Sequence, residues 1–220
     1  MKYFKIGEAT LGYKGLSTLG KQLVWTSGTS NGANVTGVKR AISKQDDGIV
    51  YLQFLSKFQG VSNYGAENIR LYLDEVLQGG IGGNDGATTM SILNSSLLVD
   101  QSSSVSIGDE NLVIVQFDYT ANTTKLWLNP DLSTFDYVNP GSPDATSDFA
   151  IKFDEIELVF RDNIAFDELS VIEVNGTKFT APDFSDTVDA EIGSASGLGT
   201  VEDSLALWLD AANVDGKGDN

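Results

Sequence analysis

Histidine and cysteine are both missing from this 220-residue sequence. Their absence excludes Ser-His-Asp and Cys-His catalysis, Cys/His zinc sites, haem ligation by either residue, and disulfides. A hard cation held by oxygen ligands is the metal class that remains. Basic residues are scarce: 14 Lys/Arg stand against 31 Asp/Glu, a net charge of −17, with a pI near 4.1. No basic surface is present to release counterions, so nucleic acid is excluded as a partner, and anionic membranes on the same ground. No run approaches the roughly 18 apolar residues of a membrane span, and membrane insertion is not expected. No apolar stretch follows Met1-Lys2-Tyr3-Phe4-Lys5, so no signal peptide is read there. Lack of cysteine fits an extracellular protein that resists oxidation without bridges.

What is present is enough for a core, with 41% hydrophobic and 10% aromatic residues. The charge is unevenly spread. Residues 1–80 hold nine Lys/Arg and six Asp/Glu, and residues 81–220 hold five and 25. A basic first part and an acidic remainder attract each other, within one molecule or between neighbours.

The periodicity is that of strands. In Asn111–Thr120, Val113, Val115, Phe117 and Tyr119 share one face, and Leu112, Ile114, Gln116 and Asp118 the other. Ala121-Asn122 then leads into Thr123–Leu128, a β-hairpin pattern. Further strands are expected at Ile49–Phe58, Asn68–Leu77, Ile151–Phe160 and Ala165–Val174, the last two joined by Arg161-Asp162-Asn163. Weaker candidates are Gln22–Ser27, Val38–Ser43, Thr88–Leu93 and Ser104–Ile107. No stretch carries a capped 3.6-residue period. Ten or more strands with Gly-rich connections predict an all-β fold, an antiparallel two-sheet β-sandwich or jelly roll.

Three departures from the strand pattern stand out. Residues 129–148 form a long loop with Pro130, Pro140, Pro143, Phe135 and Tyr137; loops of that length are often functional. Residues 181–203 form an acidic Ser/Gly-rich linker. Residues 204–220 then give an apolar strand, with Leu205, Leu207, Trp208 and Leu209, and an Asp/Gly turn. That strand docks back on residues 1–180, opens a following unit, or is donated to a neighbouring copy.

The chemistry-bearing motifs each have an ordinary reading beside the sharper one. Glu155 and Glu157 lie two residues apart in a strand, about 7 Å, on a face expected to include Ile151, Phe153 and Val159. A carboxylate pair is what a glycosidase needs, but a solvated strand face is the plainer reading. Gly79–Gly86 has a phosphate loop's glycines without its Lys-Ser/Thr, and reads as a flexible hairpin connection. Asp210, Asn213, Asp215 and Asp219 place oxygens around Gly216 like the front of a calcium loop, although an Asp/Gly turn serves as well. Asp162, Asn163 and Asp167 are a second candidate cation cluster, with a polar turn as the alternative. Ca2+ is thus the candidate cofactor. Trp127, Tyr137 and Trp25 have the flat apolar faces on which a sugar ring stacks. Trp127 sits between Leu126 and Leu128, so if those two face the core it faces a groove or solvent. Packing remains the default for a strand tryptophan.

Several segments together resemble the concanavalin A-like lectin/glucanase superfamily, in its laminin G-like jelly-roll branch. They are Tyr13-Lys-Gly-Leu-Ser-Thr-Leu-Gly20, Val50–Leu55, Val113–Asp118 followed by Leu126-Trp-Leu-Asn-Pro130, Phe153–Ile156 and Phe166–Leu169. Ala206–Ala212 resembles the opening of another such unit. The resemblance implies a laminin G-like domain over 1–180, within a larger bacterial surface protein. The family's glycosidases resemble a Glu-x-Asp-x-x-Glu pattern, and Asp154-Glu155-Ile156-Glu157 lacks that spacing. The leading expectation is therefore an extracellular or cell-surface carbohydrate-binding or adhesion module without enzymatic activity, lectin-like, with polysaccharide or glycan as ligand. One alternative is a structural subunit of an extracellular filament or assembly, linked to neighbouring domains or copies by donation of 204–210. Another is a glycoside hydrolase using Glu155 and Glu157.

Overall fold

The computed structural model describes residues 3–6, 11–14, 16, 23–26, 36–58, 66–83, 89–106, 110–160 and 164–174. Among them lie thirteen strands and no helix. The strands are β1 (Tyr3–Ile6), β2 (Leu23–Thr26), β3 (Thr36–Gln45), β4 (Ile49–Phe58), β5 (Ala66–Leu73), β6 (Val76–Gly83) and β7 (Thr89–Leu93). They continue with β8 (Val99–Ser106), β9 (Glu110–Asp118), β10 (Thr123–Leu128), β11 (Ala145–Ser147), β12 (Phe153–Phe160) and β13 (Ile164–Val174). Two antiparallel sheets result. One has the order β1-β2-β13-β4-β9-β10-β11, the other β3-β12-β5-β6-β7-β8. The fold is an all-β jelly-roll sandwich.

Alternation along each strand explains the layering. Val50, Leu52, Phe54, Val113, Val115 and Phe117 meet Ile69, Leu71, Ile81, Ile92, Phe153 and Ile156 between the sheets. Their neighbours Tyr51, Leu55, Leu112, Ile114 and Trp127 point the other way, yet are buried too, in a second cluster with Leu11, Leu16 and Tyr137. The outer face of the seven-stranded sheet is therefore covered by Leu11, Tyr13 and Leu16 and by the loop after β10. That is why β9 reads as apolar on both faces.

Two expectations for the middle of the chain are corrected. The strand expected over Asn68–Leu77 is broken at Asp74-Glu75, where both residues have positive φ (50° and 64°). This is a two-residue hairpin turn of the mirror-image kind that fits strand twist. Gly79–Gly83 is not a flexible connection but part of β6. A Cβ on Gly80 would lie 2.5 Å from the Ile69 carbonyl oxygen, and one on Gly79 2.6 Å from that of Leu93. Glycine is there because neighbouring backbone comes too close for a side chain.

β12 and β13 do not pair. They lie in different sheets, so the chain crosses the sandwich between them. A register shift between Phe153 and Glu155 also alters the faces of β12. Phe153 joins Ile156 and Leu158 in the core, whereas Glu155 and Glu157 face outward. The face expected to carry Phe153 with the two glutamates is divided by that bulge.

Candidate functional site

The outer face of the seven-stranded sheet is built row by row. Trp127, Ile114, Gln53 and Ser170 lie across four adjacent strands, as do Lys125, Gln116, Tyr51 and Ile172 in the next row. The loop after β10 folds over these rows. Asn129, at φ 56°, turns the chain. Its side-chain oxygen accepts from the Leu112 amide at 2.9 Å, and its amide donates to the Leu112 carbonyl at 2.8 Å. Asp131 then starts a tight turn. Its Oδ1 accepts from the Ser133 amide at 3.0 Å and hydroxyl at 2.7 Å.

Phe135 and Tyr137 are delivered onto the sheet by that turn. Trp127 and Phe135 meet edge to face at 5.6 Å, Phe135 and Tyr137 at 5.0 Å, and Tyr137 and Tyr51 at 5.0 Å. The Tyr51 hydroxyl donates to the Tyr137 carbonyl at 2.6 Å and accepts from Gln116 Nε2, while the Tyr137 hydroxyl donates to Gln53 Oε1. Burial raises the pKa of both phenols, because the phenolate would lose its hydration. They stay protonated at neutral pH and act as hydrogen-bond donors, not bases.

Beside this cluster the loop leaves a cleft of about 390 Å³. Trp127, Phe135, Pro130 and Pro140 supply its apolar wall. Asp131, Thr134, Asn139, Ser142 and Asp144 supply its polar groups. Asp144 Oδ2 accepts from the Leu128 amide at 2.8 Å. The Asp131 carboxyl is held below the usual carboxylate range, chiefly by its hydrogen bonds from Ser133, so it is ionised. Trp127 is 4% exposed, and its indole Nε1 has no hydrogen-bond partner. Buried donors are normally paired, so this one is out of the ordinary.

The expected site residues fall in different places. Trp127 lines the cleft. Tyr137, 3% exposed, lies beneath the loop with both its hydroxyl and its carbonyl committed to the sheet. Trp25 is on β2 opposite Phe4. Three strands separate β2 from β10, so Trp25 and Trp127 are at least about 19 Å apart at the ~4.8 Å strand spacing and are not brought together. Asp167 Oδ2 accepts from the Leu11 amide at 2.9 Å. It thereby ties Leu11 to the sheet. Asp162 and Asn163, expected beside it, lie outside the described residues, as do Asp210, Asn213, Asp215 and Asp219 and the residues Leu205, Leu207, Trp208 and Leu209 expected to form a strand. Among the described residues no three acidic side chains gather as a metal site.

Glu155 and Glu157 belong to the other sheet. Glu155 pairs with Lys39 at 2.7 Å. Glu157 accepts from the Tyr72 hydroxyl at 2.7 Å and lies 3.7 Å from Arg70. Their hydrogen bonds raise the pKa values of Lys39 and contribute to the rise at Tyr72, where burial is the larger cause. Sequence reasoning singled out this pair and passed over Asp131 and Asp144. Those two aspartates are thirteen positions apart, and only the folded loop puts them on one cleft. The available signal was the loop itself: long, and rich in proline and aromatics.

No family model matches the chain, and no curated protein matches it. Two solved structures are similar to it. One is a GH131 β-glucanase catalytic domain from Podospora anserina, 15% identical, covering 72% of this chain and 74% of that one with a TM-score of 0.37. The other is a family 7 alginate lyase, A1-II′, in complex with its product, 10% identical, covering 69% and 78% with a TM-score of 0.40. Both bear the names of polysaccharide-acting enzymes. On that finding the expectation of a module without enzymatic activity is withdrawn.

Proposed function

We propose that this protein acts on a polysaccharide, and that the cleft beside Trp127 takes the sugar chain. The observation that carries the reading is the composition of that cleft. The cleft, of about 390 Å³, is lined by aromatic and proline rings together with two carboxylates, an amide and hydroxyls. Apolar ring faces receive the C–H face of a pyranose, while carboxylate and amide oxygens accept its hydroxyl protons. Cleavage of a glycosidic bond needs a pair of carboxyl groups about the scissile linkage. Asp131, kept ionised by Ser133, suits the base or charge-stabilising role, and Asp144 is the second carboxyl group. The setting that suits such a protein is the cell surface or the extracellular space, and the laminin G-like branch is the finer family reading.

The test is release of new reducing ends from a panel of purified polysaccharides by the full chain. A parallel assay uses Asp131→Asn, Asp144→Asn and the control Glu155→Gln. The reading expects turnover of at least one polysaccharide, lost by 10²-fold or more in an aspartate variant and kept in the control. Retention without turnover, measured by affinity electrophoresis, would remove the catalytic part. Neither binding nor turnover would remove the whole reading.

A further inference from the structure

The six-stranded sheet ends on one side in β3, which pairs with β12 and, among the described residues, with no other strand. Every residue along 37–44 is exposed or half-buried. Val38 and Ile42 pack against the core from this rim and are only partly covered. An edge with open backbone groups beside half-covered apolar side chains is a ready template for one more strand.

Charge narrows what can add there. β3 carries Lys39, Arg40 and Lys44 and no acid. Lys39 pairs with Glu155 and Lys44 with Asp46, each at 2.7 Å, while Arg40 is in no ion pair among the described residues. A second copy of β3 laid antiparallel on the first would bring like charges together, which guards the edge against self-pairing. The same guard attracts a strand flanked by acids. Within this chain, 204–210 is that sequence: Leu205, Leu207 and Leu209 alternate, with Glu202 and Asp203 before them and Asp210 after. From 181 to 220, nine Asp/Glu stand against one lysine.

The path permits the pairing. Val174, the last residue of β13, lies opposite Ile49, four positions after the end of β3. The 29 residues from 175 to 203 span up to about 90 Å when extended, more than enough to reach the β3 edge of the same molecule.

We infer that residues 204–210 add to the free edge of β3 in the same molecule, as a seventh strand of that sheet. The leucine face continues the inner layer beside Val38 and Ile42, and the flanking carboxylates meet Arg40 and its neighbours. This gives the uneven charge of the chain a structural use, and it stands apart from the sugar reading.

The full chain has no cysteine, so a cysteine-pair scan tests this directly. Ala41→Cys is combined with a single cysteine at each position from 204 to 210 in turn. Facing residues of paired strands have Cβ atoms about 4.5–5.5 Å apart, near enough to bridge with a small movement. One position, or two alternate ones, should bridge within the monomer about tenfold faster than the rest. The control series carries Ser95→Cys, exposed in the turn between β7 and β8, and should show no preferred position. Arg40→Glu/Lys44→Glu should slow the preferred bridge about threefold. Hydrogen exchange of a cysteine-free Leu205→Asp/Leu207→Asp variant should rise about tenfold over 36–45 and stay unchanged in β4 and β9; the scan carries the test where this variant fails to fold. Equal rates at all positions, or equal rates in the two series, overturn the pairing. Bridges found only between molecules overturn its placement within one chain and point to strand exchange between copies. A preferred bridge indifferent to Arg40→Glu/Lys44→Glu overturns the part assigned to charge.

Discussion

The hydroxyl of Tyr51, in the centre of the seven-stranded sheet, donates to the main-chain carbonyl of Tyr137, 86 residues further along the chain. Tyr51 also accepts from Gln116, and Tyr137 returns a bond to Gln53. Three strand side chains and one loop residue thus hold the loop over the sheet. The cleft exists because this clamp fixes one of its walls.

Tyr51→Phe keeps the ring and removes the clamp. It leaves the Tyr137 carbonyl and the Gln116 amide in a buried place without this partner. The expected cost is about 1–3 kcal/mol, read as a lower urea midpoint with an unchanged slope. Tyr137→Ala removes the ring as well, and should cost more, about 3–5 kcal/mol, by the cavity left among Tyr51, Phe135 and Trp127. Equal losses in the two variants would mean that the ring contributes nothing to the loop's anchorage.

The same phenols set an alkaline limit. Burial raises the folded-state pKa values of Tyr51, Tyr137 and Tyr119 above the ordinary 10.0. The folded state then holds its protons when the unfolded state has begun to lose them. Their contribution is full below pH 10 and is lost as pH rises past it toward the folded values. Stability should be flat in this respect through neutral pH and fall above about pH 10. Phenolate absorbance near 295 nm should show these three tyrosines ionising together with unfolding. Free titration of all seven tyrosines near pH 10 in the folded protein would contradict the assignment.

Sequence periodicity made the sandwich legible because alternation reports burial directly. The bounds of β4 and β10 follow from where the apolar alternation of Ile49–Phe58 and Thr123–Leu128 stops. It failed at Asp74-Glu75, since Glu75 is not a usual choice for a turn with positive φ and the apolar pattern runs on through Val76 and Leu77. It failed again at Gly79-Gly80, where backbone proximity, not flexibility, selects glycine. Trp127 was legible as packed, the default for a strand tryptophan, and its leucine neighbours set its face only on the condition that they point into the core. Its partners were not, because Asp131, Phe135 and Asp144 meet it through a loop whose path depends on caps and long-range hydrogen bonds. Such contacts leave no period in a sequence.

The turn between β5 and β6 predicts a stabilising substitution. Asp74 and Glu75 both occupy the left-handed region, which costs an ordinary residue about 1–2 kcal/mol. Glu75→Gly relieves that strain and gives back part of it through the greater freedom of the unfolded chain. A net gain of about 0.5 kcal/mol is expected, visible as a small rise in Tm. Asp74 keeps its backbone amide bonds to the Asp154 carboxylate at 3.2 Å in this variant, so the turn's anchorage is unchanged. A fall in Tm would show that the Glu75 side chain contributes more than its backbone strain costs.

Glycine has the opposite sign in β6. At Gly80 an added Cβ would meet the Ile69 carbonyl oxygen at 2.5 Å and the Arg70 Cα at 3.6 Å. These are backbone atoms of the paired strand, so relief requires the two strands to part along the ladder. Gly80→Ala should therefore destabilise by about 2 kcal/mol or more, within the range of overpacked core sites. Gly12 is the control: a Cβ there meets nothing within 4 Å, and Gly12→Ala should stay within about 0.5 kcal/mol of the parent. Chemical denaturation of the two variants side by side separates close approach from simple loss of glycine freedom. Equal stability of the two would mean that β5 and β6 are less tightly apposed at this point than the Gly80–Ile69 contact requires.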